Sequence, residues 1–275
     1  MKFAICNETF ADWSLERAFA FARECGYTGV EIAPFTLGPS AEAISASLRE
    51  QVCRQAQAAE LEVVGLHWLL AKTEGYHLTS AEAAVRQRTA DYLVQLGRLC
   101  RDLGGRIMVF GSPPQRNLQE GVTREAATDY AAEVFSAALP ALEELEVVLA
   151  LEPLAPAETD FLTTAAEAVQ LIERIGSPAC RLHLDVKAMA SEEESAADLV
   201  RRYADVMVHF HANDPNLQGP GFGDEDFVPI FAALGETDYR GWVSVEVFDY
   251  DPGIERLAKE SLEYMVRCQD RIRSS

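Results

Sequence analysis

The stretch LALEPLAPAETDF (residues 149–161) begins as a buried strand, ends its apolar run on an acid, Glu152, and places a second acid, Glu158, six residues later. Three further apolar runs also carry ionisable residues near their ends. RLHLDV holds His183 and Asp185, VMVHFHA holds His209 and His211, and WVSVEVF holds Glu246. Residues two apart on a strand share a face, so His183 aligns with Asp185 and His209 with His211. A single acid at a strand end is ordinarily a satisfied polar group. Glu152, Asp185 and Glu246 brought together would repel one another unless a cation or shared protons relieved them. Three carboxylates and one imidazole form an oxygen-rich set suited to one divalent metal ion, Mn2+ first, with Mg2+, Co2+ or Zn2+ as alternatives. His211 lies nearer its strand end and is the expected imidazole ligand. His183 and His209, one layer deeper, are expected to orient ligands or substrate.

These side chains meet only if their strands end at a common place. Eight short apolar runs recur along the chain: FAICN (3–7), GVEIA (29–33), VVGLHW (63–68), RIMVF (106–110), VVLALE (147–152), RLHLDV (181–186), VMVHFHA (206–212) and WVSVEVF (242–248). The first four are near-continuously apolar, as strands buried on both faces are. Helix signals fill the gaps. Thr79 with Glu82, and Thr164 with Glu167, fit capping boxes; Asp12 fits a cap for SLERAFAFARECG; Thr123 to Leu145 is long and alanine-rich; a last helix is predicted from about Ile254 to Arg271. The fold class is therefore α/β, a (βα)8 TIM barrel in a single domain over residues 1–275. A doubly wound open sheet would more often show a glycine-rich turn after its first strand, and CNETFADW has none. Barrel enzymes keep their chemistry at the C-terminal strand ends, where Glu152 falls. His67 and Trp68 close the third run and are expected to line the same mouth, Trp68 as an apolar wall.

Composition narrows the partners. Forty-four acids against twenty-four bases give a net charge of −20, which repels a phosphate backbone and argues against nucleic acid. Six cysteines stand singly without a CxxC, as reduced thiols in a cytoplasmic protein do. The start, MKFAICNETF, lacks a signal peptide's layout, and no apolar run approaches the ~20 residues of a membrane span.

At Glu152, Asp185, His211 and Glu246 the chain resembles the xylose isomerase-like barrel superfamily, and within it the sugar phosphate isomerase/epimerase group that includes the ketose 3-epimerases. The resemblance runs over nearly the whole chain and is strongest from Glu152 to Tyr250. It implies that the four residues hold one Mn2+-like ion, and that Glu152 and Glu246 flank the carbon of a sugar that loses and regains a proton. It also implies that Glu158 contacts the substrate's hydroxyl end, and that a homo-oligomer is an expected state. The physics agrees with that division, since a cation stabilises an ene-diolate while carboxylates on opposite faces act as base and acid.

Two positions depart from the group's pattern. Ala188 stands where the epimerases keep a histidine, and HANDPNLQGPGFGDEDF lacks the arginine they usually carry after the strand-seven histidine, offering Asn213, Asp214, Asn216 and Leu217 instead. Lys187 is the candidate for the lost positive charge, fixing a carbonyl, carboxylate or phosphate. The glycine-rich GPGFGDEDF loop is expected to close over the pocket or lend it backbone donors. A metal-dependent lyase of a keto-sugar or keto-inositol is the main alternative activity, because it too begins by removing a proton next to a carbonyl. A three-zinc endonuclease of the same superfamily needs more histidines than the five present, including one where FGSPP (110–114) stands. A non-catalytic sugar-binding protein would not need two acids about a metal-bound carbon.

Overall fold

In the computed structural model, which describes residues 1–273, eight parallel strands close in sequence order into a barrel. They are Lys2–Cys6 (β1), Gly29–Ile32 (β2), Glu62–Leu66 (β3), Ile107–Phe110 (β4), Val148–Leu151 (β5), Cys180–Asp185 (β6), Met207–Ala212 (β7) and Trp242–Val245 (β8). Every predicted run became a strand. The helices are Leu15–Cys25 (α1), Ala46–Ala58 (α2), Ala83–Asp102 (α3), Arg124–Glu144 (α4), Ala165–Ile175 (α5), Val186–Met189 (α6), Ala196–Arg202 (α7), Phe227–Glu236 (α8) and Ile254–Arg273 (α9). No helix among the described residues is long and apolar enough to cross a membrane.

Two predicted caps fall elsewhere. α1 is capped by Ser14, whose side chain accepts from Arg17 N, and not by Asp12. α3 starts after Glu82 without a side-chain cap. Thr79 is buried and donates to the carbonyl of Asn117 at 2.7 Å, so its hydroxyl ties two loops together instead. Thr164 and Thr123 do cap α5 and α4. At α5 the acid of the pair accepts from Thr163 N at 2.7 Å rather than from the cap's own amide.

The barrel interior changes character along its axis. At the N-terminal end Ala4, Val64 and Trp242 pack with Ile107 as an apolar floor. Gly29 is required there, since a Cβ at that position would lie 2.5 Å from the Trp242 ring. Above the floor the packed apolar layers expected of such a barrel give way to Glu31, His183, His209 and Ser244, all buried. The β6–β7 register sets His183 beside His209 and Asp185 beside His211, and the β7–β8 register sets His211 beside Ser244. The polar side chains are thus stacked toward the C-terminal end.

Candidate active site

Each predicted acid sits where its strand stops. Glu152 and Glu246 are the residues after β5 and β8, Asp185 is the last of β6, and His211 is the last but one of β7. All four are buried. Glu152 and Glu246 line a cavity of about 370 Å3, together with His67, Trp68, Glu158, Lys187 and Phe248. Its walls are largely apolar, from Val109, Pro113, Pro114 and Leu154, as in a small-molecule site with few convergent polar groups.

Glu246 is the most heavily held of the acids. Its Oε2 faces His211 Nδ1 at 3.0 Å, while its Oε1 faces His67 Nδ1 at 3.1 Å and accepts from Trp68 Nε1 at 2.7 Å. Burial works against its charge, but His211 and His67 outweigh burial and hold the carboxyl well below the usual range. Trp68 is therefore a donor as well as the predicted wall. Its indole stacks on Phe248 with ring centroids 6.0 Å apart. These contacts hold its backbone at φ 52°, a left-handed conformation rare for a large side chain.

Glu152 lives in the opposite environment. Burial, reinforced by Glu246 and Asp185, raises its carboxyl to about 8. His183 Nε2 stands 3.8 Å from its Oε1, and Asp185 and His211 each bring a donor atom within 4.8 Å of it. Space for the carboxylate comes from Gly111, where a Cβ would lie 2.2 Å from Glu152 Oε2. Asp185 accepts from Ala188 N at 2.9 Å on one oxygen and from Asn213 Nδ2 at 2.6 Å on the other. Burial raises its pKa too, against the pull of Lys187.

Behind this layer lies a group that the sequence reading missed. Glu31, on β2, meets His211 Nε2 with Oε2 at 3.1 Å, and its Oε1 accepts from both His209 Nε2 and Ser244 Oγ. Burial opposes its charge, yet His209 and His211 hold it well below the ordinary value. Those acids in turn raise His211 well above the usual imidazole value despite burial. His183 is held well below it by burial and by the other two imidazoles, with both ring nitrogens unpartnered. Of the two deeper histidines, His209 thus connects to His211 through Glu31, whereas His183 makes no side-chain hydrogen bond among the described residues.

Arg116 was also missed. Fully buried, it donates to the carbonyls of Phe161, Gly111, Glu152 and Leu162 at 2.6 to 3.0 Å, pinning the backbone of the candidate acid. Burial lowers its pKa to about 10, which leaves it charged at neutral pH. GSPPQR gave only a weak hint of this, an arginine in an otherwise uncharged loop. Lys187 donates to Glu158 Oε1 at 2.7 Å and lies 4.2 Å from the centre of the Phe248 ring, while Glu158 Oε2 is buried without a donor. Burial disfavours the ammonium, but Asp185 and Glu158 raise its pKa above the lysine value.

The expectation for the glycine-rich loop is corrected. None of its residues lines the cavity. Gly223 N donates to Asp214 Oδ2, and Gly221 packs against Tyr264 of α9, so the loop folds back on its own neighbours. Leu217 is 44% exposed and Ala188 is buried in α6, and neither is among the lining residues.

Among curated proteins, L-ribulose 3-epimerase of Mesorhizobium japonicum is 29% identical over 258 residues, covering 94% of this chain and 83% of that one. The 3-dehydro-D-guloside 4-epimerase of Escherichia coli K12 is 24% identical over 286 residues, covering 98% of this chain and all of the relative. A solved structure of an L-ribulose 3-epimerase superposes with a TM-score of 0.86 at 24% identity, over 100% of this chain and 96% of that one. The family described as xylose isomerase-like TIM barrel matches residues 19–268. The chain belongs to that family.

Proposed function

We propose that this chain is a divalent-metal-dependent sugar epimerase or isomerase that moves a proton at the carbon next to a carbonyl. The observation that carries the reading is the convergence of Glu152 and Glu246, from the ends of β5 and β8, on one cavity, with the further metal-binding donors Asp185 and His211 beside them. Two carboxyl groups that reach one cavity from separate strands can serve as base and acid to a carbon held between them. Two relatives whose names describe them as epimerases of sugars support the reaction class.

The donors suit a metal: Glu152, Asp185 and His211 each bring a donor atom within 4.8 Å of the others, together with His183, and Glu246 Oε2 adjoins them 3.0 Å from His211 Nδ1. Glu152, Asp185, His211 and Glu246 supply three carboxylates and an imidazole, all buried, which suits Mn2+ over a thiolate-preferring ion. When bound, such an ion supplies Lewis-acid stabilisation of the negative charge that develops on substrate oxygen. The protein's own groups do the rest. Glu246, anionic and aligned by His67 and Trp68, takes the carbon-bound proton; Glu152, on a strand three places round the barrel, delivers one from the other side. Glu158 Oε2 accepts from a substrate hydroxyl, and Lys187 holds Glu158 in place while facing the sugar's polar end. Trp68 and Phe248 wall the site and exclude water.

Ala188 and Leu217 stand outside the cavity lining. That favours a substrate held by fewer polar side chains than a free ketose in the epimerases, and keeps elimination from a keto-sugar or keto-inositol as the second reading. The test is incubation of the Mn2+-loaded protein with ketoses, ketose phosphates, 3-keto-glycosides and keto-inositols, with products read by proton NMR. An epimer or isomer supports the proposal. An enone or enol product replaces it with the lyase, and no conversion of any of the four classes contradicts both.

A further inference from the structure

We infer that Cys6, Glu8 and His67 form a second divalent-cation site beside the first, one suited to an ion that accepts thiolate, such as Zn2+ or Co2+. Cys6 ends β1, Glu8 lies in the 3-10 turn Asn7–Phe10 that follows, and His67 follows β3. One donor atom from each, with one from Glu246, lies within 4.8 Å of all the others. Glu8 is 9% exposed, and Cys6 and His67 are fully buried. Cys6 is the one cysteine in such a cluster among the described residues.

The arrangement of His67 is what asks for a cation. Its Nδ1 faces Glu246 Oε1 at 3.1 Å, which leaves Nε2 as the ring atom open to a second cation, a proton or a metal ion. Nε2 stands 2.8 Å from Glu8 Oε2, a separation that either a shared proton or an ion bound to both atoms would account for. Neither atom is in hydrogen-bonding geometry with any partner, and Glu8 Oε1 has none either. A buried carboxylate without a donor is unfavourable, and a bound cation relieves it. A nitrogen and an oxygen bound to one ion at about 2.1 Å, roughly a right angle or a little more apart, stand roughly 3 Å from each other. Cys6 supplies the third donor: its S–H bond breaks, the proton passes to solvent, and a sulfur–metal bond takes its place. Three protein donors leave a position open, as in catalytic zinc sites. The route in is the cavity, which His67 and Glu246 both line.

The carboxylate that orients His67 also faces His211 through its other oxygen. Glu246 therefore stands between the two sites, and an ion on His67 would fix its position from behind, as carboxylate–histidine–metal arrangements do.

The test is titration of Co2+ into the metal-free chain, followed by absorption and by bound cobalt per chain. The expected result is two Co2+ per chain, with a near-ultraviolet sulfur-to-cobalt charge-transfer band. C6S should remove the band and one of the ions, D185N should keep the band, and E8Q, which leaves the thiol in place, should weaken the band-forming ion at least tenfold; circular dichroism verifies the fold of each variant. Absence of the sulfur-to-cobalt band in the wild type, or a band that survives C6S, overturns the inference, and a proton then lies between Glu8 and His67. Either outcome leaves the reaction reading untouched, because that reading concerns Glu152, Asp185, His211 and Glu246.

Discussion

The two halves of the barrel serve the same mouth in different ways. β5 to β8 end in the groups that face the cavity or crowd beneath it: Glu152, Asp185, His211 and Glu246. β1 to β4 and their loops end in the groups that hold those in place: Glu31 behind His211, His67 and Trp68 on Glu246, and Arg116 under the backbone of Glu152. On the proposed function, one half carries the chemistry and the other sets its geometry and charge. Glu152 and Glu246 differ because of that second half. His67 and Trp68 hold Glu246 at hydrogen-bonding distance, whereas Glu152 lies near Asp185 and 3.8 Å from a histidine that burial holds neutral.

Removing a group from the reacting half should have the largest effect. E246Q should lower turnover by about 10²- to 10⁴-fold, the usual weight of one general acid or base, with substrate binding by calorimetry little changed. Full activity would take Glu246 out of the mechanism. In the supporting half, R116M strips four buried carbonyls of their donor and should destabilise the protein by about 3–5 kcal/mol, read from urea unfolding. E31Q keeps the shape but weakens the anion behind His211, and should lower metal affinity by about 10- to 100-fold, measured by calorimetry.

A pH dependence sharpens the contrast between the two acids. Glu152 ordinarily titrates near 4.5 and is raised to about 8 in the metal-free fold. The folded state therefore keeps a proton that the unfolded chain has lost. That contribution to stability is fully present below about 4.5 and is lost as pH rises through about 8. Wild type should lose stability over this window relative to E152Q, in paired unfolding curves at pH 5 and 8.5. Metal binding displaces the same proton, so metal affinity should climb across that window and level off above it.

The halves also differ in how much of them the sequence made legible. Strands and barrel closure followed from eight apolar runs, and the four proposed strand-end ligands stood out because acids and histidines interrupt or end those runs, singly at Glu152 and Glu246 and two residues apart in the pairs His183/Asp185 and His209/His211. Glu31 lay in plain view within GVEIA but is a lone acid on a first-half strand, and only closure of the barrel brings it against His209 and His211, some 180 residues away. Arg116 was hidden for a similar reason, since its partners are backbone carbonyls, which no side-chain pattern marks. Asp12 and Thr79 misled because a capping residue type is common in loops, and Ser14 and a loop–loop hydrogen bond claimed those roles. The GPGFGDEDF loop misled because glycine permits close approach to anything, here to Asp214 and Tyr264.

The central claim is that Glu246 and Glu152 divide the proton transfer between them. Deuterium uptake from D₂O into the substrate's reacting carbon tests it most directly, comparing wild type, E152Q and E246Q at matched metal content. Wild type should incorporate deuterium and interconvert both epimers. E152Q should still exchange the epimer whose proton faces Glu246 while failing to invert it, and E246Q should do neither with that epimer. Inversion that persists in either variant would contradict the account.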